Sequence, residues 1–358
     1  MDTSPVTARS LEPYYKINGD RLERAYKDYL SDFRQWEQKP HASDWILLEK
    51  NMGPRLSIDE TSLQEDLFTI LSNKDGHGRR GTVIAAVRGT KASEVIRILM
   101  QIPQEKRIEV REVTMDFSDS MYSIVSAVFP NATIVIDCFH IIKRCGDAVE
   151  EIRLRSKREA IKDQRKKQAE FRNKLEQRVK QRKYYRKKHP RRYKGRKRGR
   201  KPIRLNERFK PEILDNGDTG VELLTRSRGL LRVSRNNWSD TQKIRAGLLF
   251  SLYPKIKEAY NLVDSRRNVF RMKTLDRVNA RNRLHEWYQK VAGCSLREVK
   301  SARDAVRFKE EEVLNYFINR STNAAAESLN SKLKRFRAQL HGVSDLPFFM
   351  YRVSLIFG

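Results

Sequence analysis

The sequence predicts an α/β protein in which a sheet flanked by helices is interrupted by a long, basic, mostly helical stretch. Three observations predict it. Short apolar and β-branched runs alternate with helical periodicity between residues 55 and 137. Strand-like runs stop after His140, and helical patterns take over. Positive charge is concentrated: residues 151–210 carry 28 Lys and Arg against 6 Asp and Glu, which is +22 of the chain's formal +30.

The elements read in order as follows. Residues 1–18 hold Pro, Ser and Thr without periodicity and read as a loose arm. In residues 19–38, Leu22, Tyr26, Tyr29, Phe33 and Trp36 recur at three- and four-residue steps, an amphipathic packing helix. RLSIDETS (55–62), DLFTILSN (66–73) and TVIAAVRG (82–89) read as strands, the last two joined by a glycine-rich hairpin turn. A helix over 91–102, a strand over 108–116, a helix over 118–129 and a strand over 132–137 follow. A meander followed by alternating strands and helices is the pattern of a helix-covered sheet. Residues 220–320 read as several helices with Trp238 and Trp287 as core anchors, and 322–337 as a further helix. The apolar tail 343–357 is expected to pack on the core.

A charge of +30 on 358 residues points to a polyanionic partner, most simply nucleic acid. Cys138, Cys145 and Cys294 contain no CxxC pair, which argues against a zinc finger and suits a reducing compartment. No stretch approaches the roughly 18 apolar residues of a membrane span. The N-terminus lacks the apolar core of a signal peptide, so a cytoplasmic, nucleoid-associated protein is expected.

Asp59 lies inside the first of these strands, Asp116 ends the fourth, and Asp137 ends the fifth, with His140 one turn beyond. Phosphodiester chemistry commonly uses two divalent ions held by acids converging from separate elements. Taken singly, each acid also reads as a strand-end or turn residue. Glu327 lies in NRSTNAAAESLNSKLKRFR, where Ser321, Thr322 and Asn323 offer capping groups. There Ala325, Leu329, Leu333 and Phe336 form the expected buried stripe, and Asn323, Glu327, Asn330, Ser331 and Lys334 the polar one. That stripe either offers Glu327 to metal and Asn330 and Lys334 to phosphate, or is an ordinary solvated face. Asp119 reads as a helix-cap acid.

These blocks together resemble the ISL3-family transposases, a group of DDE transposases of bacterial insertion sequences. IDETS, MDFSDSMYSIVSAVFPNATIVIDCFHIIK and NRSTNAAAESLNSKLKRFR match in order and spacing over about residues 55–357. The family's usual Ser-Asn-Gly-Xaa-Xaa-Glu stands here as Ser-Thr-Asn-Ala-Ala-Ala-Glu. The resemblance implies an RNase H-like core with the first and fourth strands adjacent. It also implies Asp59, Asp116 and Glu327 as the catalytic acids, binding two Mg2+ ions, with Mn2+ as a substitute. Asp116 and Glu327 are 211 residues apart, which calls for an insertion of roughly 141–315 between core segments 55–140 and 316–358, with 1–54 as an N-terminal arm and helix. Asp137 and His140 match an Asp-Xaa-Xaa-His signature of several such groups. His140 then either bonds an active-site acid, contacts the DNA end, or simply caps a helix.

Transposon ends and target DNA are the implied partners, and a homo-oligomer is expected. The densest basic stretch offers Arg182, Lys183, Arg186, Lys187, Lys188, Arg191, Arg192, Lys194, Arg196, Lys197, Arg198 and Arg200 for phosphates. Tyr184, Tyr185 and Tyr193 lie among them and could stack on unpaired bases. The alternative is a solvated charge run. No cysteine-bearing zinc module or helix-turn-helix is visible in residues 1–54, which leaves recognition of the ends to a separate polypeptide of the same element. Two rival readings keep the same features: a junction-resolving nuclease on the same core, and a non-catalytic DNA-binding protein.

Overall fold

The computed structural model describes residues 1–63, 65–189, 207–340 and 345–358. They form two compact units, one of residues 1–143, 272–283 and 305–358, the other of residues 144–271 and 284–304.

The first unit is built on a six-stranded mixed sheet of β1 (Trp45–Leu47), β2 (Arg55–Leu63), β3 (Asp66–Asn73), β4 (Val83–Arg88), β5 (Glu112–Met115) and β6 (Thr133–Ile136), in the order β1-β4-β3-β2-β5-β6. β2, β3 and β4 form the antiparallel meander, and β5 and β6 continue the sheet parallel to β2. The first and fourth expected strands are thus neighbours, the arrangement of an RNase H-like sheet. β1 adds an antiparallel edge on β4 that the sequence reading lacked. Three residues are too few for a period-two pattern to stand out.

Two earlier helices, α1 (Ala8–Tyr15) and α2 (Gly19–Ala25), lie in the segment expected to be a loose arm and a single long helix. Thr7 caps α1, and the buried Arg352 guanidinium donates to the carbonyls of Met1, Ser4 and Val6. The segment is therefore fixed by backbone satisfaction, although its composition suggested otherwise. The expected helix over 19–38 instead widens after α2 into a π-helical turn, Tyr26–Leu30, and breaks at Ser31. Ser31 is extended, and the bend lets Tyr26 and Phe33 meet Phe348 and Tyr351 in one aromatic cluster. Burial of large rings outweighs helical continuity there.

Along the sheet follow α3 (Ala92–Leu99), α4 (Gln104–Ile108) and α5 (Asp119–Val128). α4 shortens the strand expected from residue 108, because Gln104, Glu105, Lys106 and Arg107 are good helix formers placed after Pro103. α6 (Cys138–Lys188) leaves the end of β6 and carries the first part of the basic run as helix, while the Gly- and Pro-containing end of that run lies outside the described residues. The other unit adds α7 (Gly220–Arg226), α8 (Arg228–Arg232), α9 (Asp240–Leu252) and α10 (Pro254–Arg271). Its core holds both expected anchors: Trp238 donates to Leu230 O, and Trp287 to Leu262 O.

α11 (Arg277–Ala292), α12 (Arg297–Phe308), α13 (Glu310–Asn319), α14 (Ala324–Gln339) and α15 (Leu346–Phe357) complete the chain. Leu329, Leu333 and Phe336 of α14 share a core with Phe349, Met350 and Val353 of α15 and with Leu63, Phe68 and Ile70 of the sheet. The apolar tail packs as expected.

The loop between α13 and α14 is tied to the sheet by Glu112, a buried acid on β5. Its oxygens accept from Ser321 Oγ at 2.6 Å and Asn319 Nδ2 at 3.2 Å, with Lys74 Nζ at 3.4 Å. Hydrogen bonding to Ser321 and Asn319 is stronger here than the ion pair, and it holds the carboxyl below its usual range despite burial. Lys74 is itself pulled down by burial, so the longer pair adds little net stability. Arg320, in the left-handed region at φ 55°, donates to the carbonyls of Met272, Lys273 and Leu275. Glu112→Ala is expected to lower stability by about 1–2 kcal/mol in chemical denaturation, since Ser321, Asn319 and Lys74, all at least partly exposed, lose a shared acceptor. A loss below about 0.5 kcal/mol would show that the tie is not needed.

Candidate active site

Strand register builds the site. Ile58 of β2 pairs with Met115 of β5, and Met115 pairs with Ile136 of β6. The next residue on each strand is an aspartate: Asp59, Asp116 and Asp137. Parallel strands in register put the three side chains in one row on one face of the sheet, at roughly the 4.8 Å strand spacing. The bond from Asp137 N to Met115 O, 2.9 Å, keeps that register past the end of β6. The apolar residue before each acid fills the sheet's other face, which is why a carboxylate can lie so deep.

α14 lies on β2 and supplies the rest. Asn323, Glu327 and Asn330 recur at four and three residues, so they share one helix face. That face looks onto the aspartate row. Asn330 Nδ2 donates to Asp59 Oδ2 at 2.7 Å, and Asn323 Nδ2 to Asp116 Oδ1 at 3.1 Å. Asn323 N donates to Asp137 Oδ2 at 3.0 Å, while Asp137 Oδ1 accepts from Phe139 N at the start of α6. Asp137 thus joins the starts of two helices through one buried carboxylate. Asn323 is the N-cap residue of α14 by position, but its side chain serves Asp116 rather than the helix.

His140 Nε2 lies 3.0 Å from Asp116 Oδ1, which realises the acid-bonding alternative for this residue. Asp137, His140 and Glu327 each offer a ligand atom, all within 4.8 Å of one another. Glu327 is exposed, so it can reach a ligand from the open side.

Burial and crowding govern the charges. Burial first, and then Asp116, push Asp59 up to about 7, against the pull of the Glu60 amide, His140 and Asn330. Burial pushes Asp116 up to about 6. Asn323 opposes the rise, and Asp137, Glu327 and Glu60 add to it. Partial desolvation and like charge thus raise Asp59 and Asp116, and a bound cation would relieve that crowding. Hard oxygen donors on a rigid sheet suit a small divalent cation, and the grouping of Asp137, His140 and Glu327 offers a mixed oxygen and nitrogen seat beside them.

All five residues singled out from the sequence, Asp59, Asp116, Asp137, His140 and Glu327, therefore meet at one end of the sheet. Asn330 is a correction: expected at phosphate, it is buried and spent on Asp59. The buried member of the alanine run is Ala326, with Ala325 only half-buried. Asp119 follows the capping Ser118 and pairs with Lys309. Lys334 is exposed. Lys183, Arg186, Lys187 and Lys188 are exposed on the last turns of α6, with Arg182 half-buried beside them, and Tyr184 and Tyr185 are exposed as well. Arg191, Arg192, Tyr193, Lys194, Arg196, Lys197, Arg198 and Arg200 lie outside the described residues. Among the described residues no helix is long and apolar enough to cross a membrane.

Missed in the sequence were Glu112, Lys74 and the roles of Asn323 and Asn330. The Asn-Glu-Asn spacing put the three on one helix face, but such a polar face is ordinarily solvated, so the spacing did not reveal the inward bonds.

A family model described as Transposase, that of the ISL3 group of DDE transposases, matches residues 56–353. No curated protein and no solved structure matches the chain.

Proposed function

As the chain belongs to the ISL3 family of transposases, we propose that it catalyses magnesium-dependent strand cleavage and strand transfer of an insertion sequence. Asp59, Asp116 and Glu327 are the catalytic acids in this reading. The observation that carries it is the in-register row of aspartates facing the helix of Glu327. Proton-holding acids at 7 and 6, set among oxygen donors, fit a pair of Mg2+ or Mn2+ ions. Bound there, the ions would supply charge neutralisation at phosphate and a more acidic water.

The chain's own residues do the rest. Asn330 and Asn323 hold the Asp59 and Asp116 carboxylates in fixed rotamers through neutral donors that do not compete as cations. His140 Nε2 meets the same Asp116 oxygen, Oδ1, that Asn323 holds. Asp137 sets the approach of α14 and so the position of Glu327. Water attacks the phosphorus at the element end, the bond to the 3′ oxygen breaks, and a 3′-hydroxyl is freed. That hydroxyl then attacks a target phosphodiester, and the displaced target oxygen leaves with the proton. The basic end of α6, together with Lys334, holds DNA by charge, and end recognition falls to a second polypeptide of the element.

The test is cleavage and joining of a labelled fragment carrying the element's ends, with Mg2+, with and without the product of any adjacent reading frame. Joined products support the reading. Cutting of branched DNA without joining would replace it by a nuclease, and metal-independent binding alone by a non-catalytic binder. Asn330→Ala is expected to raise the Mg2+ concentration for half-maximal cleavage about 10–100-fold. An unchanged metal dependence would remove Asn330 from the support of Asp59.

A further inference from the structure

A second cluster of cations lies outside the residues discussed so far. The β3–β4 hairpin, the outer face of α14 and the end of α15 enclose a cavity of about 540 Å³. Arg79 and Arg80 of the hairpin and Lys332 and Arg335 of α14 line it, over an apolar floor that includes Phe336 and Phe357. The hairpin is fixed there by its backbone: Gly81 N donates to Gly358 O, Thr82 N to Phe357 O, and Lys332 Nζ to Gly78 O. Gly78, at φ +69°, lets that lysine in, since a Cβ would stand 2.8 Å from Lys332 Nζ.

Most arginines of this unit with structural roles are paired, as Arg55 is with Asp75 and Arg88 with Asp66. Among the described residues, none offers an ion pair to Arg79, Arg80 or Arg335. The one acid on the lining is Asp2, whose carboxylate already accepts from Tyr26. Four cations lining one cavity over an apolar floor make a positive surface that favours an anion.

The position says which anion. Lys332 and Arg335 follow Glu327 by five and eight residues on one helix, about 8 and 12 Å along its axis. A DNA strand advances about 3.4 Å per nucleotide along the duplex axis, so this is roughly two to four nucleotides. The three arginines are exposed, presented to an extended ligand rather than closed over a small one. Resting on the DNA transposase reading above, we propose that this cavity seats the DNA sugar-phosphate backbone two to four nucleotides from the cleavage position. The contact is distinct from the basic run of α6.

The test compares the full-length chain with its Arg79→Gln/Arg80→Gln/Arg335→Gln variant, with circular dichroism to check folding. Anisotropy on an element-end duplex is read from 50 to 300 mM salt. The variant is expected to bind about tenfold or more weakly, with the slope of log affinity against log salt reduced by about 2. Methylphosphonates placed two to four nucleotides from the cut should weaken wild type but leave the variant unaffected. An unchanged slope, or equal sensitivity to methylphosphonates in both proteins, would overturn the proposal. So would stabilisation of wild type but not variant by inorganic phosphate alongside an unchanged slope, which would make the cavity a free-anion site. If wild type binds no DNA, the seat and the transposase reading both fall. If wild type cuts and joins the fragment while the variant binds it with an unchanged slope, the seat falls and the transposase reading stands.

Discussion

Asp59→Asn, Asp116→Asn and Glu327→Gln should each reduce magnesium-dependent strand cleavage by about a thousandfold or more. Phosphodiester catalysis of this type draws several kcal/mol from charge neutralisation at the reacting phosphate, and each 1.4 kcal/mol is a factor of about ten in rate. Each substitution keeps shape and removes one charge from the row. DNA affinity should be unchanged or slightly tighter, because an anion has been removed from a surface that meets phosphates. Cleavage kinetics at saturating DNA, together with equilibrium binding, separate the two effects. Wild-type-like cleavage in any one variant would take that residue out of the site. Asp137→Asn is expected to differ in kind. Its two oxygens accept from backbone amides that start α6 and α14, so it should lower stability as well as rate.

Compared with Asp59→Asn, the chelated wild type should lose stability as pH rises from about 4 to 7. Asp59 is pushed to about 7 when folded, against an ordinary 3.8, and Asp116 to about 6. A carboxyl with a raised folded pKa binds more protons folded than unfolded. Its favourable contribution is complete below the unfolded value and lost through the folded one. For Asp59 the swing is on the order of 3–4 kcal/mol. In EDTA, the thermal midpoint of wild type should drop across that window relative to that of Asp59→Asn. Magnesium added at pH 8 should restore wild type more than the variant. A wild-type midpoint in EDTA that falls no more than that of Asp59→Asn between pH 4 and 7 would refute the crowded-acid account.

Much of this was legible in the sequence, for physical reasons. β2, β3, β4, β5 and β6 announced themselves because buried central strands must be apolar runs, and the acid after each run stood out against that background. Asp59 could be seen as an acid inside its strand, and Asp116 and Asp137 as strand-end acids, but not all three as one row, because register is a pairing property that no single strand carries. β1 was too short to show alternation. Asn330 was misjudged because a buried amide and an exposed one look alike until their partner is known. Glu112 gave no signal, since its partners Ser321 and Asn319 lie more than two hundred residues away.

The length of chain between Asp116 and Glu327 has a consequence for synthesis. Domains form as the ribosome emits them, and contacts between distant segments close last. Until α13 and α14 emerge, Asp59, Asp116 and the basic end of α6 exist without Glu327, Asn323 or Asn330. A chain stalled or cleaved in that interval carries charge for DNA and lacks the groups that complete the acid row. On the proposed reading, a fragment ending in that interval would bind DNA without cleaving it.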